Sequence, residues 1–191
     1  MINQIRPAIV MVALFTLLLG LAYPLAVTGV AQGLFPAQAN GSLVRAADGS
    51  VQGSTLVGQP FAEAGYLHPR PSAAGDGYDG SASSGSNLGP LNEDMAARVA
   101  GSTAAIRAED RAGAIPADAV TTSASGLDPD ISPAYARLQA QRIATARGVS
   151  VQEVQSVIDQ NTHGQLLGFI GQPTVNVLMT NRAIDARFPA R

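Results

Sequence analysis

No cysteine, no lysine and no tryptophan occur among the 191 residues. Without cysteine, disulfides, thiolate zinc sites, cysteine nucleophiles and lipidated cysteine are all excluded. Without lysine, all 12 basic residues are arginine, set against 14 acids for a formal net charge of −2. A nucleic-acid binder would instead show a basic stripe. Histidine is nearly missing, with His68 and His163 the only two, so metal chemistry is thinly supplied. Charge of either sign is scarce: 14% of residues, against a usual share of roughly 25%.

What the chain has instead is apolar length near its start. From Ala8 to Ala31 no residue is charged. As a helix that run reaches roughly 36 Å, enough for a hydrocarbon core of ~30 Å with some tilt. A lone span must satisfy its backbone internally, which leaves the helix as its form. Pro24 falls late in the run and predicts a kink. Ala37-Gln38-Ala39 has the A-x-A shape of a signal-peptidase site, but the run exceeds the ~7–15 residues of a signal h-region, so it is read as a retained anchor. Arg6 precedes the span and the next basic residue is Arg45. The positive-inside rule then puts residues 1–6 in the cytoplasm, the transmembrane helix at 7–33 and residues 34–191 outside. Ala22, Ala26, Gly29 and Gly33 share one face of the span and include a GxxxG pair. Small side chains let a partner helix approach closely, so this face is expected to pack against another span.

The remainder is expected to be a single α+β domain of mixed helix and strand. Ser42–Arg45 and Ser54–Val57 have strand-like content between glycines. Residues 68–90 are rich in Pro, Gly and Ser and predict a long loop, of the kind that is functional or disordered. Leu91–Asp110 carries a partial helical face through Leu91, Met95, Val99 and Ile106. Ala119–Ala124 has the content of a strand. Ser132-Pro133 is an N-cap followed by proline at the first helical position, which predicts a helix to Arg147 stopped by Gly148. Ser150 and Glu153 make a capping box for the next helix, whose apolar face is Val151, Val154, Val157 and Ile158. Thr174–Met179 is β-branched and strand-like, with a short last helix from about Asn181.

Few motifs carry chemistry. Gly75, Gly77 and Gly80 match GxGxxG, but Pro- and Ser-rich loops flank them where the dinucleotide fingerprint needs a strand and a helix. Ser83–Pro90 resembles a phosphate loop in composition and lacks the GK[ST] ending; within it Ser84 and Asn87 are read as turn or partner contacts. The hydroxyls of Thr121–Ser125 sit in no GxSxG, so no catalytic residue is assigned. Asp128 and Asp130 stand just before a helix start and are read as capping carboxylates. Asp76 and Asp79 lack a full ligand set, and no metal site is assigned. His68-Pro69-Arg70-Pro71 is stiff and extended; His68 and Arg70 either contact a partner or bridge loops. Gln139 and Arg142 lie on related faces of their helix, where the pair could receive an anion or nucleotide or simply form a solvated face. The residues by themselves describe a single-span protein with an extracytoplasmic domain and no self-sufficient catalytic centre.

Several segments, in order, resemble one family. They are Tyr23-Pro24-Leu25 through TGVAQGLFPAQANGSLV to Val44, GSTLVGQPF from Gly53, YLHPRPSA from Tyr66 and SSGSNLGP from Ser83. SASGLDPDISP from Ser123, RIATARG from Arg142 and GFIGQPTVNVLMTN from Gly168 complete the set. Together they are similar to the C subunit of bacterial Kdp-type, ATP-driven potassium transporters. The resemblance implies an accessory subunit that is not itself an enzyme. Its partners would be a channel-like potassium-binding subunit, a P-type ATPase subunit and a very small peptide subunit in the same membrane complex. ATP and potassium would be handled by that complex, with no cofactor held firmly by this chain. The resemblance also implies support of assembly and a catalytic-chaperone role that raises the ATPase subunit's affinity for ATP, with Gln139 and Arg142 as the positions of interest. ATP is cytoplasmic, whereas the charge distribution puts the domain outside, so direct nucleotide contact conflicts with that topology. A free-standing anchored binding module is the alternative reading.

Overall fold

The computed structural model describes residues 2–110 and 113–189. After a 3-10 turn at Ile2–Gln4, α1 (Ile5–Leu17) continues through a π turn at Leu18–Ala22 into α2 (Tyr23–Leu34). The three form one continuous helix, Ile5–Leu34, long and apolar enough to cross a membrane. Proline has no N–H and its ring crowds the carbonyl four residues back. The helix absorbs Pro24 by widening the turn just before it, where the Tyr23 N–H donates to the Leu18 carbonyl five residues back.

A short helix, α3 (Pro36–Ala39), leads from the span into an antiparallel hairpin of β1 (Leu43–Arg45) and β2 (Val51–Ser54). The second strand lies earlier than the expected 54–57. The reason is a tight reversal: Asp48 accepts from the Ser50 N–H and Gly49 takes φ +84. Residues 68–90 contain no helix or strand, as expected, and α4 (Glu93–Asp110) follows. Ile106 is buried on α4, but Leu91 is 97% exposed and belongs to no apolar face. The strand expected at 119–124 is absent. A short helix, α5 (Ala117–Val120), stands there because Asp118 reaches forward to the Ser132 N–H and hydroxyl.

The strand β3 (Asp130–Ile131) precedes α6 (Pro133–Leu138) and α7 (Ala140–Arg147). The single helix expected over 133–147 is divided at Gln139. Ser132 caps it through the Tyr135 N–H, and Gly148 ends it at φ +67, the left-handed conformation glycine takes without strain. The helix α8 (Val151–Gln160) opens with both bonds of the Ser150–Glu153 capping box. Its Val154, Val157 and Ile158 are buried, each contributing about 1.5–3 kcal/mol relative to exposure. Then come β4 (Thr162–His163), β5 (Thr174–Asn176) and α9 (Val177–Arg187). That last helix starts earlier than the expected 181, because Asn176 caps it by accepting the Met179 N–H.

The three-stranded antiparallel sheet runs β3-β5-β4, with Ile131 opposite Val175 and Thr162 opposite Val175. Helices α6, α7, α8 and α9 close over one core that holds Ile131, Ala136, Ile143, Val154, Ile158, Val175 and Ile184, with Leu67 supplied by the start of the long loop. The chain is therefore α+β with one N-terminal span-length helix.

Candidate functional site

The long loop is held at its first residues by two side-chain amides. Asn181 on α9 accepts the Leu67 N–H at 2.7 Å and donates to the Leu67 carbonyl at 3.0 Å. Gln139, between α6 and α7, accepts the His68 N–H at 2.7 Å and donates to the His68 carbonyl at 3.1 Å. Each amide thus acts as a strand neighbour would, pairing both polar groups of one residue. Gln139 is 0% exposed and Asn181 2%. The sequence pattern left Gln139 either anion-binding or solvated; its side chain is engaged wholly inside the domain.

Arg142 completes this clamp. It donates to Gln139 Oε1 at 2.6 Å, to the Ala64 and Tyr66 carbonyls at 2.7 and 2.9 Å, and from Nε to Asp110 at 2.9 Å. The Arg142–Asp110 pair is nearly sealed from solvent. Burial pushes the Asp110 carboxyl up, and the Arg142 guanidinium pulls it back only in part. The Arg142 side chain borders a hollow of about 440 Å³ with Ala64, Glu109, Gln141 and Thr145. His68 lies beside it, Nδ1 at 3.4 Å from Glu109 and Nε2 at 3.2 Å from the Glu63 carbonyl. Burial, and next the Arg142 charge, hold its imidazole below the ordinary value.

A second arginine that the sequence did not single out does the same five residues further along α7. Arg147 donates to the Gly65 and Phe188 carbonyls and pairs with Asp185 at 2.7 Å. Its guanidinium lies 4.7 Å from the Tyr66 ring centroid, and the Tyr66 hydroxyl donates to Asp185. The cation over the ring face fixes the ring while the fork bonds to backbone. A planar side chain at a helix end, beside a Gly-Tyr pair far off in sequence, left no local signal.

The other candidate residues lie apart from this cluster. Arg70 pairs with Asp128 at 3.1 Å and donates to the Thr122 carbonyl, while its Nε is buried without a partner among the described residues. Asp128 and Asp130 do not cap the helix at 133; Asp130 instead accepts from Asn176 at 2.8 Å. The Ser84 N–H donates to the Ser125 carbonyl at 3.0 Å, closing the loop's far leg onto residues 123–126. Gly126 is required there: at φ +67, a Cβ would fall 2.6 Å from both the Ala74 nitrogen and the Ser84 oxygen. Asn87 is exposed with φ 51. Ala22, Ala26, Gly29 and Gly33 are exposed along the span, and a Cβ on Gly29 or Gly33 would meet none of the described residues within 4 Å. Among the described residues, no three His, Asp or Glu side chains gather as a metal set would require.

These features define a class: a protein with one span-length apolar helix joined to a small α+β domain, whose buried polar side chains bind the domain's own backbone. The model of the K+-transporting ATPase c chain, KdpC, matches residues 5–186. A "Potassium-transporting ATPase KdpC subunit" of Caulobacter sp. (strain K31) is 66% identical over 190 residues, covering 100% of this chain and 97% of the relative. Similarly named subunits of Beijerinckia indica and Mycobacterium tuberculosis are 61% and 52% identical, over 99% and 96% of this chain and 96% and 98% of theirs. The chain belongs to the KdpC family.

Proposed function

We propose that this chain is an accessory, non-catalytic subunit of an ATP-driven potassium uptake complex, anchored in the cell membrane by residues 7–33. The observation that carries the reading is the family match over residues 5–186, which takes in span and domain alike. The span supports it independently. Its large side chains are exposed throughout, for example Leu17 at 62% and Leu34 at 68%, as lipid and neighbouring helices require.

The domain sits on the extracytoplasmic side, on the argument from Arg6 and the uncharged stretch after it. From there it supports assembly with the channel-like, ATPase and small peptide subunits. It acts on the complex's affinity for ATP only through subunit contacts, because an outside domain does not meet cytoplasmic ATP. Gln139 and Arg142 serve this role by shaping the surface around residues 63–68, since their polar groups are directed at the chain's own backbone. The hollow beside Arg142 is then a place for a partner side chain. ATP and potassium are handled elsewhere in the complex.

The test is a mild-detergent purification of the full chain from potassium-starved cells, with mass spectrometry of what accompanies it. Recovery of a P-type ATPase and a large channel-like subunit, and loss of high-affinity potassium uptake on deletion, is the expected result. Recovery of this chain alone from intact complex-bearing membranes overturns the reading in favour of an anchored binding module.

A further inference from the structure

Between β4 and β5 the chain makes a tight turn whose apolar side chains point away from the core. Leu166, Leu167, Phe169 and Ile170 are 67, 76, 73 and 47% exposed. The turn is well tied: Leu166 and Ile170 exchange backbone bonds at 3.0 and 2.9 Å, and Gln165 Nε2 donates to the Gly171 carbonyl at 2.9 Å. Leu167 takes φ 54, a left-handed conformation disfavoured for a branched aliphatic residue. Holding large apolar groups outward on a bonded frame lowers the ordering cost of binding. No Asp, Glu, Lys or Arg occurs between Asp159 and Arg182, so the tip and its flanks suit an uncharged, apolar seat.

Building on the subunit reading above, we propose that the turn at residues 165–171 is a plug that seats in an uncharged apolar hollow on another chain of the same transporter. Lipid is the weaker occupant. Leu and Phe can enter a bilayer, but the tip has no Trp or Tyr to sit at headgroup level and no Lys or Arg to meet anionic lipid. It is also reached from the Thr174 end of β5, whereas the Asn176 end is the one tied toward the anchor. Asn176 donates to the Thr55 carbonyl, and Arg182 beyond it donates to the Arg45 carbonyl. A second copy is weaker still. A convex tip of four side chains offers a few hundred Å² at most, against about 1,200–2,000 Å² for a self-standing interface. A transporter chain to which the span already holds this one needs only such a local contact, because the tip's effective concentration there is high.

The experiment uses the full chain in the assembled complex, with Phe169 replaced by the photoreactive p-benzoylphenylalanine. Irradiation is expected to cross-link the tip to another chain of the transporter. In parallel, Leu167→Asn with Phe169→Ser is expected to lower recovery of that chain at least tenfold, with the thermal transition of the domain unchanged. Asparagine suits the left-handed site, and Phe169→Leu should restore assembly. Cross-links only to lipid, or to a second copy, overturn the inference, as does wild-type assembly by the double variant. If the unmodified chain recovers no other transporter chain, the subunit reading fails and the plug with it. If it does and the tip results are negative, the plug alone fails.

Discussion

The span and the clamp at residues 63–70 are built on opposite rules. Along Ile5–Leu34 the apolar side chains face outward, with Val12 at 68% exposure. Around Leu67 and His68 the polar side chains face inward: Gln139, Asn181, Arg142 and Arg147 all end on backbone atoms of residues 64–68. At Leu67 and His68 the clamp is complete within its own chain, because both backbone groups of each residue meet a side-chain amide. The span is complete only with its surroundings, because exposed apolar area on this scale marks a membrane or an interface. Substitutions should therefore damage folding in one region and association in the other.

The largest effect on folding is expected at Arg142. Arg142→Met leaves the Asp110 carboxylate buried without its donor and the half-buried Tyr66 carbonyl unpaired, while the exposed Ala64 carbonyl turns to water. Breaking such a buried pair costs about 3–5 kcal/mol, measurable as urea unfolding of the full chain in detergent followed by tyrosine emission. The double variant Arg142→Met, Asp110→Leu should recover part of the loss, because it removes both charges rather than stranding one. If the single variant unfolds like the wild type, the clamp is not what holds residues 63–68. Gln139→Leu comes next. It strands the His68 N–H and carbonyl together, at about 1–3 kcal/mol for an unsatisfied buried group. Co-purification with other transporter chains under stabilising conditions should fall less than folding stability does.

Much of the domain was legible because its signals are local. Ser132 before Pro133, Gly148 after Arg147 and the Ser150–Glu153 box act across three residues or fewer, and all stand in the structure as read. The misread boundaries were local too, but ambiguous. Thr174 and Val175 favour a strand, and Asn176 resembles its continuation until its side chain turns to cap α9. The site was hardest to read because its partners are remote. Gln139 meets His68 across 71 positions and Asn181 meets Leu67 across 114. Nothing in the 3.6-residue pattern of a helix tells a solvated glutamine from one buried against another segment's backbone. The carboxylate at the 133 helix start was misplaced for the same reason: Asp118, not Asp128 or Asp130, reaches Ser132.

A smaller effect is expected from pH. Glu109, Asp110 and the Glu63 carbonyl favour the charged imidazole of His68, but burial and Arg142 outweigh them and hold it below its ordinary value of 6.5. The unfolded chain then takes up the proton first as pH falls. The contribution of neutral His68 is fully present above about 6.5 and is lost progressively below it, until the folded chain is protonated as well. His68→Gln should flatten the dependence of the unfolding midpoint on pH below about 6.5. An unchanged slope would mean that another group dominates that window.

The smallest effect on folding, and the sharpest test of the contrast, belongs to Gly29. A side chain there enters open space, since no described residue lies within 4 Å of its Cβ position. Gly29→Leu should leave the urea midpoint of the domain within about 0.5 kcal/mol of the wild type, as for substitutions away from packed features. A helix that packs on the Ala22, Ala26, Gly29 and Gly33 face would nonetheless be held off by the leucine, because close approach of backbones is what small residues permit. Recovery of other transporter chains in mild detergent should then fall while the domain stays folded. Gly20→Leu is the control, with equally open space around it and a place at the π turn rather than on the small-residue face. If both leucines weaken assembly alike, the span responds to bulk anywhere along it. If neither does, lipid rather than a helix covers that face, and assembly rests on the domain.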